Sequence, residues 1–284
     1  MRRSQIAPLL APALIALIVL APAAGSAEGA TQSVSAGEGT VAATLSYQAS
    51  EAEPGSGPVA GLELDITRSG ESFFSGPVGS THCLSTCGLE HFGGGPLEVK
   101  ELEGDGEPDV VVELNTGGAH CCTVVQVFSL DPGVQAYHVF EKDFGDPGAA
   151  LLDLAGDGRL EFESADDRFA YAFASYAFSG LPLQIWRFQD NRFLDVTREF
   201  PQALAADAAR QFKGFLATRH AGLGLGLIAA WAADEDALGH RGLVARTLAR
   251  EARRGRLRSR EAFTPSGDRF IEKLNRFLKR TGYT

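Results

Sequence analysis

Apolar residues alternate with polar ones through most of the chain from Val41 to about Arg198. A period of two belongs to strands with one face buried. Val41–Tyr47 and Val59–Ile66 carry it on either side of Glu53-Pro54-Gly55-Ser56-Gly57-Pro58, a turn-rich separator. Val110, Val112 and Leu114 predict one strand and Val125 and Val127 the next, with Asn115-Thr116-Gly117-Gly118 as the hairpin turn between them. Phe169, Tyr171 and Phe173 alternate with alanines and predict a strand with one aromatic face. Leu183–Phe188 and Phe193–Val196 flank Gln189-Asp190-Asn191-Arg192 as a last hairpin.

From Pro201 the period changes. Leu243, Leu248 and Ala252, then Phe270, Leu274, Phe277 and Leu278, recur at helical spacing, and glycines separate three or four short helices. The apolar run Leu223–Trp231 is too short to span a bilayer and reads as core. The fold class is therefore mainly β, with blade-like or sandwich antiparallel sheets, plus a small C-terminal helical domain. The divisions are 1–27, 28–37 as a flexible linker, 38–198 as the β-domain, and 199–284 as the helical domain.

Residues 1–27 have the three parts of a secretory signal: Arg2 and Arg3, the apolar Ile6–Leu20, and small residues from Ala21 to Ala27. The expectation is a secreted, periplasmic or cell-envelope protein that is not transmembrane after cleavage. The net charge of −10 is unevenly spread. Residues 28–198 hold 27 acidic and 8 basic side chains, whereas 199–284 hold 9 and 16. Crowded carboxylates in the first part suit cation binding. The basic tail, with Arg250, Arg253, Arg254, Arg256, Arg258 and Arg260, suits docking on the acidic domain or on an anionic envelope surface. Nucleic acid is not an expected partner of an exported chain.

Two acidic loops share one spacing. The first runs Glu101-Leu102-Glu103-Gly104-Asp105-Gly106-Glu107-Pro108-Asp109, the second Asp153-Leu154-Ala155-Gly156-Asp157-Gly158-Arg159-Leu160-Glu161. Both place carboxylates at positions 1, 5 and 9 around a Gly-Asp-Gly centre. Calcium takes six to eight oxygens at about 2.3–2.6 Å, and glycines let the backbone fold around it. The expected donors are Glu101, Glu103, Asp105, Asp109 and the carbonyl of Glu107, and in the second loop Asp153, Asp157, Glu161 and the carbonyl of Arg159. Ala155 removes a position-3 ligand, so the second loop is expected to bind more weakly.

These loops, with Gly104-Asp105-Gly106-Glu107-Pro108-Asp109-Val110-Val111, resemble the FG-GAP/VCBS repeat. That resemblance implies a β-propeller blade element with a calcium loop, as in integrin α-chains and many secreted proteins. It covers about Leu97 to Phe162, and the absence of further copies implies an incomplete, blade-derived sheet rather than a closed propeller. Thr116-Gly117-Gly118-Ala119-His120-Cys121-Cys122 with Asp195-Val196-Thr197-Arg198 also resembles a group of bacterial secreted proteins.

Cys83, Cys87, Cys121 and Cys122 form an even set, which in an exported chain predicts disulfides. Adjacent cysteines rarely bond each other, so cross-pairing of Cys83 and Cys87 with Cys121 and Cys122 is expected, with the partners left open. With His82, His91 and His120 the same residues could instead hold zinc or copper. Asp166 and Asp167 recommend themselves as a carboxylate pair, yet neighbours on a strand face opposite ways. No catalytic residue is assigned. The function expected is a calcium-binding, non-catalytic, adhesion-like module for a protein or glycan ligand. The alternatives are an envelope-polymer hydrolase, using carboxylates or a His/Cys metal site, and a structural envelope protein.

Overall fold

A computed structural model describes residues 31–48, 59–90, 95–118 and 121–284. Three antiparallel sheets lie in sequence order, followed by four helices, and no sheet closes into a barrel. The first sheet is the meander β1 (Thr31–Glu38), β2 (Val41–Gln48), β3 (Ala60–Arg68) and β4 (Glu71–Pro77). The second orders β5 (Gly88–Leu89), β7 (Asp109–Gly118), β8 (Cys121–Asp131) and β9 (Ala136–Gly145), with β6 (Leu97–Lys100) also on β7. The third is the meander β10 (Ala150–Leu152), β11 (Glu161–Ala165), β12 (Leu183–Gln189) and β13 (Arg192–Asp195).

The middle sheet is buried on both faces. Val110, Val112, Leu114, Val124 and Phe128 pack with Leu45, Leu64 and Ile66 of the first sheet. Val111, Val125 and Val127 face the other way, into Phe162 and Phe188 of the third. This accounts for the unbroken Val110-Val111-Val112, since a strand covered on both sides loses its polar alternation. The turn Asp190-Asn191 has φ of 51° and 59°, the left-handed pair that a two-residue hairpin of matching twist requires.

Several expectations are corrected. Residues 31–37, assigned to a flexible linker, are strand β1, which pairs residue for residue with β2. Only Val34 and Ala36 of that strand pack on the core, so it carries too little apolar signal to be seen. Asn115–Gly118 is not a turn but the end of β7, whose Gly118 pairs with Cys121. The separator at 53–58 lies outside the described residues, as do residues 1–30.

Phe169–Phe173 is not a strand. Asp166 accepts the Arg168 amide and starts a short 3₁₀ turn at Asp167–Phe169, and Tyr171 has φ 58°. Phe169 and Phe173 then both turn into the helical core against Phe277, and Tyr171 is left exposed. That core is built by α1 (Pro201–Thr218), α2 (Leu225–Ala237), α3 (Arg241–Arg253) and α4 (Asp268–Thr281). Among the described residues no helix is long and apolar enough to cross a membrane.

Candidate metal site in the first acidic loop

Each acidic loop joins two antiparallel strands, and the two are built alike. The first closes β6–β7 with Lys100 opposite Asp109, and the second closes β10–β11 with Leu152 opposite Glu161. In both, the residue before position 1 pairs with position 9. The glycines at positions 4 and 6 have φ of 80° and 86° in the first loop and 71° and 88° in the second. The position-5 aspartate accepts the position-7 amide in each: Glu107 N to Asp105 Oδ1 at 2.8 Å, and Arg159 N to Asp157 Oδ1 at 3.0 Å. Position 1 turns its carboxylate inward onto loop amides. Glu101 Oε1 accepts those of Glu103 and Gly104, and Asp153 accepts those of Gly156, Asp157 and Gly158.

The charges around the two loops differ. In the second loop, the position-9 carboxylate, Glu161, is buried but receives Nε and Nη2 of Arg187 at 3.2 and 2.9 Å. Asp157 pairs with Arg159 at 3.2 Å. The Arg159 amide, then its guanidinium, holds the Asp157 carboxyl below its ordinary value. Both oxygens of Asp153 are taken by amides. A cation would displace an arginine here, so the second loop fits a metal poorly.

In the first loop, Asp109 is 2 % exposed and no arginine answers it. Burial pushes its carboxyl up to about 7; a hydrogen bond from Ser129 opposes this, and the charges of Glu103, Asp105 and Glu101 add to it. Asp109 Oδ2 and Glu101 Oε2 are buried without a hydrogen-bond partner. Glu161 Oε2 shares that condition, but its charge is matched by Arg187. The first loop thus holds unbalanced negative charge and unused oxygens, which fits a divalent cation. Glu101, Asp105 and Asp109 would hold it, and the ion would supply the neutralising charge they lack. The shell is not preassembled, for among the described residues no three His, Cys, Asp or Glu side chains converge as a metal cluster. Glu103 instead reaches the Asn191 amide at 3.3 Å and Ser129 Oγ at 3.4 Å. Glu107 pairs with Arg68 of β3, whose Nη1 also reaches the Tyr137 hydroxyl of β9. The loop therefore touches all three sheets. Arg68, Ser129, Arg187 and Asn191 were not legible as site neighbours, because nothing local links them to the loops.

The cysteines pair differently from expectation. Cys83 and Cys87 bond each other across a Cα–Cα distance of 5.3 Å. The turn between them brings the two ends of a five-residue segment to disulfide range without needing the 121–122 hairpin. Cys122 is also disulfide-bonded, and neither Cys83 nor Cys87 is its partner. Oxidised sulfurs do not serve as thiolate ligands, which removes the Cys half of a zinc or copper site. His82 lies 3.5 Å from Asp143 and 3.9 Å from Glu141, while His91 and His120 lie outside the described residues.

Asp166 and Asp167 do not sit on a strand. Asp166 is buried and fully engaged by Arg168 and the Tyr283 hydroxyl, leaving Asp167 to face a cavity. Of the basic tail, Arg250, Arg254 and Arg256 surround the buried Glu251, and Arg253, Arg258 and Arg260 are exposed. Arg250 and Arg256 outweigh the effect of burial and hold the Glu251 carboxyl below its ordinary value. A buried acid group in the helical part carried no sequence signal: burial, with Asp207 alongside, raises Asp234 to about 10.

No family model matches the chain, and no solved structure matches it. It is similar to a probable thylakoid lumen protein of Synechocystis sp., 39% identical over 106 residues, which is 36% of this chain and 31% of that protein. It is also similar to an uncharacterized protein of Sinorhizobium fredii, 36% identical over 91 residues, or 32% of this chain and 14% of that protein. The chain thus spans a third or less of the length of these curated relatives.

Proposed function

We propose that this is an exported, non-catalytic binding protein whose first acidic loop takes one calcium ion and thereby fixes the junction of its three sheets. The observation that carries the reading is Asp109: a carboxylate almost wholly buried, crowded by three others and matched by no cation. Calcium at that loop would neutralise the cluster and engage Asp109 Oδ2 and Glu101 Oε2.

The blade-like reading draws support from topology. The first and third sheets are four-stranded meanders, as a propeller blade is. The second acidic loop joins the first strand of its sheet to the next, while the first acidic loop closes the β6–β7 hairpin of the five-stranded middle sheet. Export draws support from the signal-like residues 1–27, from the disulfide, and from the lumenal name of one relative. The ligand is of the protein or glycan class, bound at loops that calcium holds in place.

The test is thermal unfolding of the mature chain with calcium and with chelator, repeated for Asp105→Ala and Asp157→Ala. Calcium should raise the melting temperature of the wild type and of Asp157→Ala, and much less that of Asp105→Ala. A melting temperature indifferent to calcium would remove the reading.

A further inference from the structure

Away from the acidic loops, a cavity of about 510 Å³ opens where β9, β12 and the Asp167 turn meet the C-terminal end of α4. Its size is that of a small-ligand pocket, and a second cavity of about 360 Å³ adjoins it through Arg168, Gln184 and Asp195. Burial works against the charge of two ionisable groups on its wall. Asp167 Oδ1 is buried with no hydrogen-bond donor. This carboxylate is closely housed: Gly145 wraps it at φ 69°, a Cβ there would come within 2.7 Å of its carboxyl carbon, and the Asp146 amide donates to it.

The second group is Lys142. Its ammonium lies 3.5 Å above the Trp186 ring and 5.1 Å from that of Phe144, and Asp143 and Asp195 act on it as opposing charges. Burial lowers the Lys142 amine against the pull of Asp143 and Asp195, which also line the cavity, and burial, then the charges of Asp146 and Asp143, raises the Asp167 carboxyl. Arg168, clamped by two bonds to Asp166, lines the same cavity with its side chain about half exposed.

We propose that this cavity binds a small zwitterion of the amino-acid class, with its ammonium at Asp167, its carboxylate at Lys142 and Arg168, and its apolar part along Trp186. Neither group alone explains the cavity. A purely anionic ligand leaves Asp167 unanswered, and a purely cationic one leaves Lys142 so. The inference does not depend on calcium at the first loop.

The chain has two tryptophans, and Trp231 lies in the helical core, so Trp231→Phe leaves Trp186 as the sole reporter. That protein is titrated with the free amino acids and alanyl-alanine, and with acetate and methylamine as half-ligands. A saturable change in Trp186 emission is expected for at least one zwitterion, with acetate and methylamine at least about tenfold weaker. Asp167→Asn and Lys142→Gln should each weaken binding about tenfold or more while melting as the parent does. No saturation by any zwitterion up to about 10 mM would overturn the proposal. So would acetate binding as tightly as the best zwitterion, or binding unchanged in both variants. If a variant fails to fold, the comparison of zwitterions with half-ligands in the parent still decides the matter.

Discussion

The two acidic loops share strand pairing, glycine conformation and internal hydrogen bonds, yet one is electrically closed and the other open. Arg187 reaches Glu161 from the neighbouring strand β12, and Arg159 answers Asp157 within the loop. Asp109, at the position equivalent to Glu161, meets only the Ser129 hydroxyl and other carboxylates. A loop's spacing sets the backbone that can surround a cation. Whether it wants one depends on side chains that arrive from elsewhere in the sheet. In a low-dielectric site a matched pair is self-sufficient, and an unmatched carboxylate is a standing cost that an ion relieves.

The largest effect should come from breaking the closed loop. Arg187→Met strands Glu161, which is 1 % exposed, without its cation. Removing one partner of a buried pair costs about 3–5 kcal/mol. Denaturant unfolding should show a loss of that order without calcium, and a partial recovery with calcium, since the second loop would then resemble the first. A loss with no recovery would mean that the second loop cannot take a cation even when its charge is open.

The open loop gives a smaller effect with a defined pH dependence. Folding raises the Asp109 carboxyl from 3.8 to about 7. The protonated form is the one the fold favours, so its contribution is present below pH 4 and lost as pH rises through about 7. Calcium-free protein should therefore lose stability across that window, by at most about 4 kcal/mol for a shift of this size. Asp109→Asn should flatten the loss and abolish the calcium response. Calcium at about 100 times its dissociation constant should return about 2.7 kcal/mol to the wild type. Chemical unfolding from pH 4 to 8, with and without chelator, measures all three. A pH-independent difference between wild type and Asp109→Asn would overturn the assignment.

What the sequence reveals and conceals follows the same division between local and remote. The loops, the strand alternation of Val41–Tyr47, the Asp190-Asn191 turn and the helical spacing of Phe270, Leu274 and Leu278 are local, and they are legible. Strand β1 is an edge with few buried side chains, so its pattern is nearly polar throughout. Phe169–Phe173 has the period of a strand, but the Asp166 cap and the aromatic core of α4 bend it into turns. The Arg68–Glu107 pair spans 39 positions and Arg187–Glu161 spans 26, and no motif marks either. The charge balance that distinguishes the loops therefore becomes visible only in three dimensions.

The smallest expected effect tests the sameness of the loops rather than their difference. Gly104 and Gly156 both sit at positive φ, and a Cβ at either would meet no atom within 4 Å. Crowding is thus absent, and alanine would pay only for the left-handed backbone, about 1–2 kcal/mol. Gly104→Ala and Gly156→Ala should accordingly cost the same amount in chelator, as measured by denaturant unfolding. Calcium should then separate them, because strain at Gly104 lies in the loop assigned to the ion and strain at Gly156 does not. Unequal costs in chelator would show that the shared φ values hide different energetics. Equal costs with equal calcium responses would place the ion, if one binds, somewhere other than the first loop.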